Sequence, residues 1–176
     1  MIFHLPSLLT IAIDFIVWLV IHVSVSISVA KMRTDSFNPE SWLYRERSWE
    51  RDGRIYQAFL RIKTWKGLLP DGAAVFKSGF RKKHLSNTDV AYIRKFSLET
   101  CRAELTHWVI FIFSVIFFIW NDWWIGMIMI AYGFVVNVPC IITQRYNRIR
   151  LRRLYIRIYS ADNSRVEKRH NELKTG

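Results

Sequence analysis

The run HWVIFIFSVIFFIWNDWWIGMIMIAYGFVVNVPCIITQ, residues 107–144, decides the fold of this chain. Its 38 residues include no Lys, Arg or Glu, and its one acid, Asp122, sits near the middle. As one helix it would be about 57 Å long at 1.5 Å per residue. That is nearly twice the ~30 Å of a bilayer's hydrocarbon core. Two crossings are expected instead, over residues 107–119 and 124–143, with Asn121 and Asp122 forming a tight polar turn. Trp120, Trp123 and Trp124 suit the headgroup zone on either side of that turn. The first crossing is short, and the spacing predicts that it borrows a turn from residues 101–106.

A second apolar run covers residues 7–30, where only Asp14 and His22 are ionisable. It too exceeds the ~20 residues a spanning helix needs. The chain has 176 residues, half of them hydrophobic, with 26 Lys and Arg against 14 Asp and Glu. In a soluble basic protein these classes would mix; here they are segregated, which points to a membrane protein. The expected fold is mainly α and polytopic, about three transmembrane helices made of a first span (7–30) and a helical hairpin (105–143). A basic interfacial segment (31–104) and a basic tail (144–176) complete a single membrane domain. A cleaved signal peptide is the alternative for the first span, since Ser28–Ala30 (SVA) resembles a small-residue cleavage site. The flank MIFHLPS carries no Lys or Arg, and the apolar run is longer than a usual signal core, which argues for retention.

The charges give an expected orientation. Sixteen basic residues lie between Lys31 and Arg102 and ten between Arg145 and Lys174, with none at the extreme N-terminus or in the hairpin turn. The positive-inside rule then places both basic segments in the cytoplasm of a multi-pass cell-membrane protein. Within the first of them, GRIYQAFLRIKTWKGLLPDG puts Ile55, Phe59 and Ile62 on one helical face, the pattern of a helix lying in the interface. Pro70, Asp71 and Gly72 end it in a turn. A second polar helix is expected over 87–102, running on into the next span, and the polar tail after Ala161 is expected to fray.

QRYNRIRLRRLYIRI has six arginines between Arg145 and Arg157 and no acid. Basic and aromatic residues together could bind nucleic acid, but behind a membrane span the phosphates of lipid headgroups or of a surface-held ligand fit better. Arg152, Arg153 and Arg157 read as anchors. Arg145 and Arg148, with Gln144 and Asn147, form a denser polar knot able to grip a polar ligand through planar forks and amides.

Glu104 and His107 are one helical turn apart, so the carboxylate can hydrogen-bond one imidazole nitrogen and make the other a general base. Two groups snorkelling to the headgroups would look the same in sequence. Asp14 and His22 share a face of the first span and either line a site or make packing hydrogen bonds. Asn137 and Pro139 lie in the last span, where Pro139 frees the carbonyl of Val135 and predicts a kink. Cys101 and Cys140 offer neither a metal spacing nor a persuasive disulfide. With no Gly-rich phosphate loop, nucleophile elbow or zinc motif, no metal and no tightly bound cofactor are expected, and an enzyme of this kind would transfer groups directly.

WERDG (Trp49–Gly53), TWKGLLPDG (Thr64–Gly72), ETCRAELTHW (Glu99–Trp108) and NVPCIITQRYNRIRL (Asn137–Leu151) together resemble the glycosyl-4,4'-diaponeurosporenoate acyltransferase family of carotenoid-making Gram-positive bacteria. Order and spacing agree over roughly residues 45–155. The resemblance implies esterification of a sugar hydroxyl on a glycosylated C30 carotenoid acid with a fatty acyl chain, a late step toward a staphyloxanthin-like pigment. Both substrates are amphiphiles, so the site should lie at membrane depth with a polar rim. On position, His107 is expected as general base with Glu104 orienting it. Arg145, Asn147 and Arg148 would hold the donor's head or the sugar, with Lys66 and Asp71 on the rim. Acyl-CoA, an acyl carrier or a phospholipid is the expected donor, and membrane lipids and other carotenoid enzymes the expected partners. The alternatives are acylation of another glycolipid and a non-catalytic adaptor that binds anionic lipid or a partner enzyme.

Overall fold

The computed structural model describes residues 6–68 and 90–175, with side chains described as far as Ser160. Among these residues there is helix and turn but no strand. Three helices are long and apolar enough to cross a membrane: Ser7–Ala30, Val90–Ile119 and Trp123–Ser160. A first span and a helical hairpin were the expected elements, and they are present. The chain divides into two compact units. The first comprises Met1–Asn38 and Cys101–Gln144, the second Pro39–Thr100 and Arg145–Gly176.

In the first unit, α1 (Ser7–Ala30) starts behind Pro6, whose carbonyl accepts the Thr10 amide at 3.0 Å. The run is rich in β-branched residues, which have modest helix propensity in water. In hydrocarbon every backbone N–H and C=O must be satisfied within the segment, and helix is the remaining choice. Its buried positions are Thr10, Asp14, Trp18, Ile21, Val25 and Val29, spaced by three and four residues along one stripe. Leu8, Ile11, Phe15 and Leu19 point outward, as lipid-facing residues do.

The hairpin follows. α4 (Val90–Phe113) tightens into a 3-10 stretch, Ser114–Ile119, before the turn at Asn121 and Asp122 and the start of α5 (Trp123–Thr175). Two short helices, α2 (Arg54–Ala58) and α3 (Ile62–Trp65), belong to the second unit. Trp18 of α1 fills the space against the hairpin, with its ring 4.8 Å from Phe117 and 5.1 Å from Tyr132. Its indole N–H meets Met129 Sδ at 3.4 Å. Small residues permit this approach, since a Cβ on Gly133 would lie 3.2 Å from Ser114 Cβ and 3.3 Å from the Trp18 ring.

Both ends of α1 are tied by polar contacts. Near its start, the buried Asp14 carboxylate accepts from Trp120 Nε1 at 2.7 Å and Asn121 Nδ2 at 2.8 Å. At its far end, Arg102 reaches the Met32 carbonyl at 3.1 Å and Thr34 Oγ1 at 2.8 Å, and lies over the Phe37 ring. Of the two roles open to Asp14, the structure shows hydrogen-bonded packing against the hairpin turn.

The second unit corrects one expectation. GRIYQAFLRIKTWKG is not one interfacial helix but α2 (Arg54–Ala58), a break, and α3 (Ile62–Trp65). Arg61 has a φ of 45°, and the Trp65 indole takes the Leu60 carbonyl at 2.6 Å. With the helix broken, Ile55, Phe59 and Ile62 share no face: Ile62 is fully buried and Phe59 is 80% exposed. Upstream, Arg51, Asp52 and Gly53 all have positive φ. Gly53 also backs onto the side chains of Tyr146 and Ile149, where a Cβ would come within 3.4 Å and 3.5 Å. α5 continues as helix to Thr175.

Of the hairpin's two glycines Gly126 is the more crowded, since an added Cβ would lie 2.5 Å from two atoms of the Phe118 ring. Gly126→Ala is expected to cost about 1–3 kcal/mol through overpacking. Most of that loss should return in the double variant with Phe118→Ala, measured as thermal unfolding in detergent. An unchanged midpoint in the single variant would mean the ring moves aside freely.

Candidate functional site

Two polar constellations hold the residues singled out above, one in each unit. In the first unit Glu104 is fully buried and its Oε1 accepts from Trp108 Nε1 at 3.3 Å. His107 Nδ1 lies 3.0 Å from Asn137 Oδ1. The acid expected to orient the imidazole thus turns to the indole on its other flank. The i,i+3 spacing puts Glu104 and His107 on one side of α4, but Trp108 at i+4 captures the carboxylate. Asn137 is fully buried, and its Nδ2 donates to the Gly133 carbonyl one turn back at 2.9 Å. In sequence Asn137 carried no signal beyond a polar atom beside a kink-forming proline. His22 on α1 is half-buried, stacks obliquely on Trp18 at 5.6 Å, and interacts electrostatically with His107.

In the second unit Arg145 is the hub. Its Nε and Nη2 form a fork on Glu50 at 3.0 Å and 3.1 Å, while Nη1 donates to the Leu43 carbonyl at 2.9 Å and Nη2 to that of Arg45 at 3.1 Å. Glu50 is fully buried and also accepts from the Tyr56 hydroxyl and the Arg47 backbone N–H. Burial alone would raise the Glu50 carboxyl. The hydrogen bonds from Arg145, Tyr56 and Arg47, with the Arg145 charge, outweigh it and hold the group below the ordinary carboxylate value. The Tyr56 phenol is pushed well up, first by burial and then by Glu50, and stays protonated. Neither Glu50 nor Tyr56 stood out in sequence, because RERSWERDGR disguises one buried acid among exposed charges.

Arg148 is buried as well, donating to the Tyr44 carbonyl at 3.1 Å and Thr100 Oγ1 at 3.4 Å. Together the two arginines pin the carbonyls of residues 43–45. Lys66 and Asn147 are also brought together: Lys66 Nζ donates to Asn147 Oδ1 at 3.3 Å and sits 5.2 Å from the Tyr146 ring. Asp71 lies outside the described residues. Arg152 and Arg153, expected as lipid anchors, pair with Glu46 at 3.5 Å and Asp52 at 2.9 Å. Beside the pinned loop runs a groove of about 580 Å³ lined by Trp42, Arg45, Glu46, Arg47, Ser48 and Trp49, with Arg47 lying over the Trp42 ring at 4.8 Å. Among the described residues, no group of three or more His, Cys, Asp or Glu side chains could hold a metal ion.

The Glu50–Arg145 pair makes a stability prediction. Removing one partner of a buried ion pair leaves the other uncompensated, at a cost of about 3–5 kcal/mol. Glu50→Gln and Arg145→Ala should each lower the unfolding midpoint clearly, and the double variant should lose less than the two singles added together. Because the folded carboxyl titrates below its unfolded value of about 4.3, its contribution is present above that pH. It is lost as the pH falls through the folded value. Denaturation of wild type but not of Glu50→Gln should therefore steepen below about pH 4.

Comparison with known proteins bears on what these constellations serve. The family model for glycosyl-4,4'-diaponeurosporenoate acyltransferase matches residues 39–157. The protein of that name from Staphylococcus haemolyticus strain JCSC1435 is 31% identical over 156 residues, covering 89% of this chain and 91% of its own length. The one from Staphylococcus aureus strain MRSA252 is 31% identical over 137 residues, covering 78% and 82%. No solved structure matches the chain.

Proposed function

The chain belongs to the glycosyl-4,4'-diaponeurosporenoate acyltransferase family and is an acyltransferase, and from that premise we propose that it esterifies a sugar hydroxyl of a glycosylated C30 carotenoid acid with a fatty acyl chain. The named relatives support the acceptor. The half-buried imidazole of His107, at the edge where α4 turns from charged to apolar, supports the chemistry. Among the described residues its Nε2 has no hydrogen-bond partner, which leaves one ring nitrogen for a substrate proton.

In this mechanism His107 Nε2 removes the proton of the sugar hydroxyl while that oxygen bonds to the acyl carbonyl carbon. The bond from the acyl carbon to the donor's leaving group then breaks, and the imidazolium returns its proton to that group. A thioester of coenzyme A or of an acyl carrier, or the ester of a phospholipid, satisfies this balance equally. Both substrates have long apolar bodies, so hydrocarbon solvates them while the reacting ends meet a polar group on a spanning helix.

Lys66, Asn147 and Asp71 are assigned to the polar head of donor or acceptor. Arg145 and Arg148 serve the same binding by fixing the loop at residues 43–50, and Glu104 steadies α4 through Trp108. The basic segments are placed on the cytoplasmic side of the cell membrane, where a cytoplasmic acyl donor is available and the positive-inside rule is met.

Lipid mass spectrometry tests this in cells that make the glycosylated C30 carotenoid acid, with wild-type chain, with His107→Ala and with neither. The acylated glycoside is expected with wild type and to fall by about 10²–10⁴-fold in His107→Ala at equal membrane levels, the usual worth of a general base. Product at wild-type rate from His107→Ala would remove the base. No product from wild type would move the activity to another glycolipid acceptor.

A further inference from the structure

The two hydrogen bonds of Asn137 fix more than its own position. A carbonyl oxygen only accepts, so the end of the Asn137 amide that faces Gly133 O at 2.9 Å is the NH2 group. The end that faces His107 Nδ1 at 3.0 Å is therefore the oxygen. An oxygen acceptor requires a proton on Nδ1, and a neutral imidazole with Nδ1–H carries its lone pair on Nε2. Fully buried in the apolar first part of α5, the amide cannot exchange these partners for water.

From this geometry we propose that Asn137 is the positioning residue of the acyl-transfer reaction. It selects the Nδ1–H form of His107 and so presents Nε2 as the base; this rests on the assignment of His107 as base. When Nε2 takes the hydroxyl proton, the ring becomes a cation with both nitrogens protonated. The Nδ1–H to Asn137 bond then persists and becomes charge-assisted. No other described group competes for Nδ1. Glu104, on the same helix, is bonded to Trp108, and His22, facing from α1, is the titratable neighbour whose interaction with the ring is electrostatic. Gly133 completes the device, because its carbonyl is the group that orients the amide.

The test uses the full chain labelled with ¹⁵N-histidine in lipid nanodiscs, with the His107 signals assigned by their loss in His107→Gln. With the ring neutral, the wild-type spectrum is expected to show a protonated Nδ1 and an unprotonated Nε2. In Asn137→Leu, which is close in size but offers no acceptor, that preference should disappear. Product formation in the carotenoid-glycoside cells should fall by about 10- to 100-fold, part of the ~10²–10⁴ a general base contributes.

A wild-type ring protonated on Nε2 overturns the proposal, and it does so even if Asn137→Leu fails to accumulate. Wild-type product rates in a folded Asn137→Leu also overturn it. Loss of product in His107→Ala with full product in Asn137→Leu condemns the positioning role alone. Full product in His107→Ala condemns the underlying base assignment instead.

Discussion

A polar side chain inside hydrocarbon must find its partner in the protein, and the first unit is organised by that constraint. Water is absent there, so each unsatisfied donor or acceptor costs far more than it would at a surface. Asp14 meets it by accepting from Trp120 and Asn121, which ties the start of α1 to the hairpin turn. Asn137 meets it twice, at Gly133 and at His107. These few bonds give direction to an otherwise non-directional packing of apolar helices. Between helices in lipid there is no hydrophobic drive, and association rests on close van der Waals contact and on hydrogen bonds. The glycines at 126 and 133 supply the first and the polar pairs the second.

The second unit solves a different problem with charge. Here the chain is loop-like, broken by positive φ at Arg51, Asp52, Gly53 and Arg61, and short helices of four or five residues cannot stand alone in water. Arg145 and Arg148 substitute for the missing secondary structure by donating to the carbonyls of Leu43, Tyr44 and Arg45. A guanidinium suits this work because its donors are fixed in a planar fork and it cannot lose its charge. Glu50 neutralises Arg145 from within, so the buried cation is not left alone. Such a pair is weak evidence of net stability, but it specifies one arrangement of the loop.

What could be seen in the sequence followed from how far each feature acts along the chain. Three spans and a hairpin at Asn121 and Asp122 were legible, because hydrocarbon thickness converts directly into residue counts. A single interfacial helix does not form, because the apolar spacing permits it while the backbone breaks at Arg61. Nothing in GRIYQAFLRIKTWKG announces that Arg61 adopts a left-handed conformation or that Trp65 takes a carbonyl from Leu60. His107 is visible as an ionisable group at the edge of an apolar run, but its hydrogen-bond partner lies thirty residues away on another helix, whereas spacing along one helix offers Glu104. Glu50 was hidden for the same reason, since it finds Arg145 across ninety-five residues. Pairings that depend on tertiary contact leave no periodic trace.

The contrast between the two units bears on why an amide, and not a carboxylate, sits on His107. A permanent anion in the span carries a desolvation penalty of several kcal/mol, which has to be offset, as Arg145 offsets it for Glu50 and two donated hydrogen bonds do for Asp14. A neutral amide orients the ring at no such cost in the resting state. In the proposed reaction charge appears only during turnover, when the imidazolium forms beside the oxyanion of the tetrahedral intermediate. The two are created together as a close pair in a medium of low dielectric, where their attraction is strong. Oriented protein dipoles help most in such a setting, because they need no reorganisation as the charges develop. The Asn137 oxygen is one such dipole, already directed at Nδ1 of the ring that becomes cationic in the proposed reaction.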